Sequence, residues 1–163
     1  MTTIAPSTVQ RLHTQGFSTV DEAWLAEIAP WLRWSPVLCG TFAAVGTALA
    51  SPWILFALAG TAFLGAILPF HPFDLIYNYS IRFLLGKRAL PPNRAPRRFA
   101  CGIATVWLIA TALLFSNDQM TAGYVLGTTF VGVAVLVSTT DICIASIIFN
   151  FFARVVGAIP TTR

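Results

Sequence analysis

Three runs without a single Asp, Glu, Lys or Arg, over 34–73, 99–117 and 119–140, constrain this chain more than anything else in it. A helix that crosses a bilayer takes about 20 mostly apolar residues. The first run is long enough for two crossings and each of the others for one. Only 10% of the residues are charged and 56% are hydrophobic, against roughly 25% charged in a soluble domain. The expected fold is an all-α polytopic membrane protein: four transmembrane helices in two hairpins, with interfacial helices on the cytoplasmic side.

The first run has to reverse, and Ser51 and Pro52 in "ALASPWI" offer the place, since proline removes a backbone donor and small residues permit a tight turn. The spans then fall at about 34–50, 52–70, 98–115 and 121–141, with Thr121 as N-cap of the last. A single long tilted helix with a re-entrant tail is the alternative for the first run. Domain organisation follows: an N-terminal segment 1–33, a transmembrane domain 34–153 containing a loop 71–97, and a tail 154–163.

That loop carries Arg82, Lys87, Arg88, Arg94 and Arg97, with Arg98 following it, against one acid, Asp74. Short loops rich in Lys and Arg stay in the cytoplasm. With an even number of crossings both termini are expected inside, in agreement with Arg11, Arg33, Arg154 and Arg163. "MTTIAPSTVQRLHTQGF" lacks the apolar centre of a cleavable signal, so the first span is expected to direct insertion. The inferred location is the bacterial inner membrane.

Two segments are expected to lie along the membrane surface or brace the spans. In "STVDEAWLAEIAPWLRW", Thr19 and Glu22 have capping-box spacing, and Val20, Trp24, Leu25 and Ile28 share one helical face. In "FDLIYNYSIRFLLGKR", Asp74, Asn78 and Arg82 form a narrow polar stripe on an apolar helix, which predicts the stripe facing headgroups. The net charge of +4 asks for no partner beyond anionic lipid, and no nucleic-acid partner is expected.

An acid inside the last apolar stretch needs a reason. Counted from a turn near Asn117 and Asp118, Arg97 and Asp141 come to the same depth at 1.5 Å per residue. The expected structural ion pair therefore joins Asp141 to Arg97 or Arg98, with His71 or Arg33 of the other hairpin as second choices. A proton-handling site or a contact to a partner protein are the alternatives.

Elimination covers most chemistry. Haem between spans would need two intramembrane histidines, and the chain has only His13 and His71. Zinc would need three or four converging ligands, which cysteines at unequal depths do not supply. Phosphate-binding glycine loops and hydrolytic triads are absent from the sequence. We expect no cofactor, no metal and no catalytic residue, with Cys143 as the one weak candidate. Cys39, Cys101 and Cys143 all fall toward the cytoplasmic side, where thiols stay reduced.

"HPFDLIYN", "LPPNRAPRRFACGIA" and "ICIAS" together resemble a family of small bacterial integral membrane proteins catalogued as a domain of unknown function, over 34–152. The resemblance carries His71 and Pro72, then Pro91 and Pro92, then Arg98, Phe99 and Ala100, and finally Cys143. Family members typically close a C-x-x-C pair late in the fourth span. Here Ser146 stands in place of the second cysteine, and a dithiol cycle takes two sulfurs. The missing sulfur and the apolar surroundings predict that Cys143 reacts with thiol reagents no faster than Cys39 or Cys101.

The function expected from the sequence is a non-enzymatic accessory or assembly subunit that binds other membrane proteins or itself, a respiratory or photosynthetic complex being one setting. A thiol- or sulfur-handling protein using Cys143, helped by Asp141, is the alternative. A small-solute carrier or channel is the third.

Overall fold

The computed structural model describes residues 4–157, and helices are the only regular secondary structure among them. Arg163 and most of the tail 154–163 lie outside the described residues. The chain begins with α1 (Pro6–Leu12), a π-helical turn His13–Phe17 and α2 (Glu22–Leu32). α3 (Trp34–Ala48) and α4 (Pro52–Ile67) form the first hairpin. A bent segment follows: α5 (Pro72–Ile76), a π-helical turn Tyr77–Ile81 and α6 (Arg82–Leu85). α7 (Ala95–Ser116) and α8 (Met120–Thr140) make the second hairpin, and α9 (Ile144–Val155) closes the described chain.

α4 packs chiefly on α7, and α3 on α8, so the two hairpins close a ring of four helices. Neighbours run antiparallel, because Arg98 at the start of α7 reaches the last carbonyls of α4 while Arg33, just before α3, reaches Asp141, just after α8. Small residues let the backbones approach. A Cβ at Gly40 would stand 3.0 Å from that of Ala134, and one at Gly127 would overlap Thr47. Leu55, Leu58, Ala59, Leu108, Ala112 and Phe115 fill the centre. α7 and α8 are each long and apolar enough to cross a membrane, and α4 with its continuation makes a third if the bent pair counts as one span. α3 is 15 residues long, short of the roughly 20 that an upright crossing takes.

Local expectations are corrected at three places. The N-cap of α2 is Asp21, whose carboxylate accepts from the Trp24 N–H, not Thr19. α8 starts one residue before Thr121, with Gln119 at its cap. The third correction inverts a face. Asp74 and Asn78 point into the protein, 1% and 8% exposed, while Ile76, Tyr79, Phe83 and Leu84 point out. Asn78 exchanges hydrogen bonds with the Leu90 backbone, and Asp74 accepts from Ser35. A buried polar group holds its place when it is paired, and these partners lie across sequence distances that helical periodicity cannot register.

The α2 face reads as a brace. Leu25 and Ile28 are fully buried with Leu12, Phe17, Tyr77 and Leu90, and Val20 and Trp24 pack around them. This second core caps the end of the bundle that carries Arg33, Arg97 and Arg98.

Candidate functional site

At that basic end a half-enclosed cavity of about 370 Å³ reaches into the bundle. All three cysteines line it: Cys39 from α3, Cys101 from α7, and Cys143 from the break between α8 and α9. All three are free and partly buried. Sequence depth alone places them on one side of the bundle, and the packing of three separate helices brings them to one space.

His71 lies beside one of the thiols, with Nε2 3.9 Å from Cys39 Sγ. The ring is held from both sides. Its Nδ1 accepts from the Phe73 N–H at 3.3 Å, and Gly65 on α4 leaves the space it occupies, since a Cβ there would overlap the ring. A neutral imidazole that accepts at Nδ1 carries its proton on Nε2, so His71 presents a donor to the Cys39 sulfur. It lies in the turn after α4, and burial first, with Arg97 adding to it and Asp74 opposing, lowers its pKa to about 4.

Behind His71 is a buried charged cluster. Asp74 accepts from Ser35 Oγ at 2.5 Å and faces Arg97 at 3.8 Å. Arg97 also donates to the Leu32 carbonyl at 3.2 Å and lies over the Phe17 ring. Each arginine expected for Asp141 is thus engaged elsewhere, Arg98 by the carbonyls of Ala66 and Ile67 at 2.8 Å each. The ion pair of Asp141 is made instead with Arg33, whose Nε lies 2.9 Å from one carboxylate oxygen and whose NH2 lies 2.5 Å from the other. The hairpin count fixes the depth of Asp141 but not the direction it faces, and α8 turns it toward α3. The Asp141 hydrogen bond is the first cause of the raised Arg33 pKa.

Asp141 also breaks the helix. Its φ of 58° and ψ of 18° end α8 in the left-handed region, which Asp tolerates better than most residues. The break makes Cys143 the N-cap of α9. Ser146, fully buried, donates to the Pro96 carbonyl at 3.3 Å, so the residue in place of the second cysteine ties α9 to α7. The N-terminal segment covers the break: Gln15 donates to the Asp141 carbonyl at 2.8 Å, Arg11 to that of Thr140 at 2.8 Å, and Asn150 to that of Thr14 at 2.7 Å.

Of the motif residues, His71, Ala100 and Cys143 line the cavity. Pro72 opens α5, and Phe99 packs on Phe149 with ring centroids 5.5 Å apart. Pro91 and Pro92 belong to the extended strap before α7, away from the cavity. Gln15, Ser35 and Arg97 also line it, and no motif singled out Gln15 or Ser35 because their neighbours are remote in sequence. Among the described residues no three or more His, Cys, Asp or Glu side chains are grouped to hold a metal ion.

The architecture is that of a helical protein with two or three helices suited to a membrane and a thiol-lined cavity at its basic end. The chain belongs to the family described as Domain of unknown function (DUF4395), which it matches over residues 29–154. No curated protein and no solved structure matches it.

Proposed function

We propose that this chain is a thiol- or sulfur-handling membrane protein. The observation that carries the reading is the meeting of Cys39, Cys101 and Cys143 around one cavity, with His71 Nε2 3.9 Å from the first. Free cysteines are ordinary packing residues one at a time. Three from three helices on one half-enclosed space, one of them at a helix break, make a site where thiol exchange has partners. Four spans, both termini in the cytoplasm and a bacterial inner membrane complete the proposal, supported by the basic loop 71–97 and the two hairpins.

The test uses the purified protein in mild detergent. After exposure to a disulfide reagent or to inorganic polysulfide, peptide mass analysis without reduction should find a disulfide within the cavity or a persulfide on one of the three cysteines, abolished by the matching Cys→Ser variant. Three unmodified thiols under both treatments would remove the reading.

An accessory-subunit role is the second reading, supported by a different observation. Ile147, Phe151 and Val155 on α9, with Val156 at its C-cap, are exposed apolar side chains, a surface for lipid or for another membrane protein. Copurification of a stoichiometric membrane partner, lost when Phe151 and Val155 are changed to Ser, would favour it.

A further inference from the structure

Two stretches far apart in the chain repeat one design. The bent segment α5–α6 is capped by His71 and α9 by Cys143. Three, seven and eleven residues after the cap come Asp74, Asn78 and Arg82 in the first stretch, and Ser146, Asn150 and Arg154 in the second. The first two residues of each stripe turn inward. Asp74 accepts from Ser35 and Asn78 meets the Leu90 backbone, while Ser146 donates to the Pro96 carbonyl and Asn150 to that of Thr14. The opposite faces match as well. Ile76, Tyr79, Phe83 and Leu84 are exposed, and so are the residues at the same steps from Cys143, namely Ile148, Phe151, Val155 and Val156.

The hairpins before these stretches correspond too. α3 carries Cys39 and Gly40 in its second turn, and α7 carries Cys101 and Gly102 in its own. Exchanging one half for the other turns the packing of α4 on α7 into that of α8 on α3, and these are the two main contacts between the hairpins. The ion pairs exchange in the same way. Arg33, just before α3, holds Asp141 after α8, and Arg97, at the start of α7, faces Asp74 after α4. Reciprocal contacts of this kind are those of a two-fold axis, here along the bundle because α3 and α7 start at the same end.

That axis bears on what covers the exposed faces. α5 packs on α3 and α9 on α7, helices that stand diagonally across the ring, so the two apolar faces look out on opposite sides. One partner subunit covers one of them, whereas lipid surrounds the bundle and covers both. α5–α6 turns by 80° from α4, so with α4 upright in a bilayer the segment lies along its surface, where amphipathic helices bind. Charge agrees. Arg82 and Arg154, which close the two stripes, make no ion pair among the described residues, and the Arg82 guanidinium lies over the Phe83 ring at 4.4 Å. A cation without a carboxylate at the edge of an apolar face suits a headgroup phosphate.

We propose that the chain is a duplicated unit whose two equivalent amphipathic helices, α5–α6 and α9, rest in the phospholipid interface, apolar faces among the acyl chains and Arg82 and Arg154 on headgroup phosphates. The inference stands apart from the thiol reading, and it gives the α9 face to lipid.

The test uses the full chain in vesicles of phosphatidylethanolamine and phosphatidylglycerol that carry a phospholipid with a diazirine high on one acyl chain. After irradiation, adducts mapped by peptide fragmentation are expected on Tyr79, Phe83 or Leu84 and on Phe151, Val155 or Val156, with yields for the two helices within about threefold. Arg82→Gln and Arg154→Gln should each lower the yield on its own helix by at least about twofold and leave the other unchanged. Adducts on one helix alone overturn the equivalence, and adducts confined to α7 and α8 overturn the lipid contact. Protection of α9 that is lifted when the protein is diluted in lipid assigns its face to a second copy of the chain and also overturns the proposal. Unchanged yields in both arginine variants remove the headgroup contact. Should either variant fail to fold, the wild-type map decides alone.

Discussion

Asp141 does two jobs that pull in different directions. As a left-handed residue it ends α8, and as a carboxylate only 4% exposed it needs a cation. The bidentate contact from Arg33 supplies one, in the geometry that suits a guanidinium. Arg33 is 38% exposed along its side chain, so water screens part of the pair. Changing Arg33 to Met should cost on the order of 1–3 kcal/mol in thermal unfolding. A double-mutant cycle with Asp141→Asn should return a coupling for Arg33 and close to none for Arg97; equal couplings would contradict the pairing. His71 gives a pH-dependent prediction. Its native pKa of about 4 lies below the ordinary 6.5, so at falling pH the unfolded chain takes up the proton first. The His71 contribution is complete above pH 6.5 and is lost as pH falls toward 4, by about 2–3 kcal/mol. In His71→Gln that part of the pH dependence should vanish from the unfolding profile.

At the scale of elements, the contact of α3 with α8 depends on missing side chains. Gly127 faces Thr47, whose buried hydroxyl has no hydrogen-bond partner among the described residues. Gly127→Ala should destabilise by about 1–3 kcal/mol, the usual cost of overpacking. Thr47→Ala in the same chain should recover most of it, while Gly132→Ala, facing open space, should do little. Failure of Thr47→Ala to rescue, seen in the melting temperature, would show that the helices are not this close. Small-residue spacing in "GTTFVGVAV" signals such contacts, but which glycine meets which neighbour depends on helix rotation. The bent segment after α4 makes the same point. Its polar stripe is plain in the sequence, yet the stripe turns inward because Ser35 and the Leu90 backbone are there to receive it.

For the whole molecule, the proposed topology has a direct readout. A reporter inserted at the turn between α7 and α8, near Asn117, and one fused beyond residue 163 should report opposite sides of the membrane, the second cytoplasmic. The same side for both would end the hairpin arrangement in the membrane. By itself the sequence determined the all-helical character, the membrane-suited α7 and α8, and the family, because charge-free runs and short motifs are local properties of the chain. It also set the common depth of Asp141 and the arginines, since depth follows from counting residues. Only the tertiary structure decided that Arg33 holds Asp141, that Asp74 and Asn78 face inward, and that three cysteines and His71 share one cavity. Those outcomes depend on how far each helix is rotated about its axis and on which helix lies beside it. Both are fixed by small-residue contacts such as Gly40 with Ala134 and Gly127 with Thr47, between residues far apart in the chain.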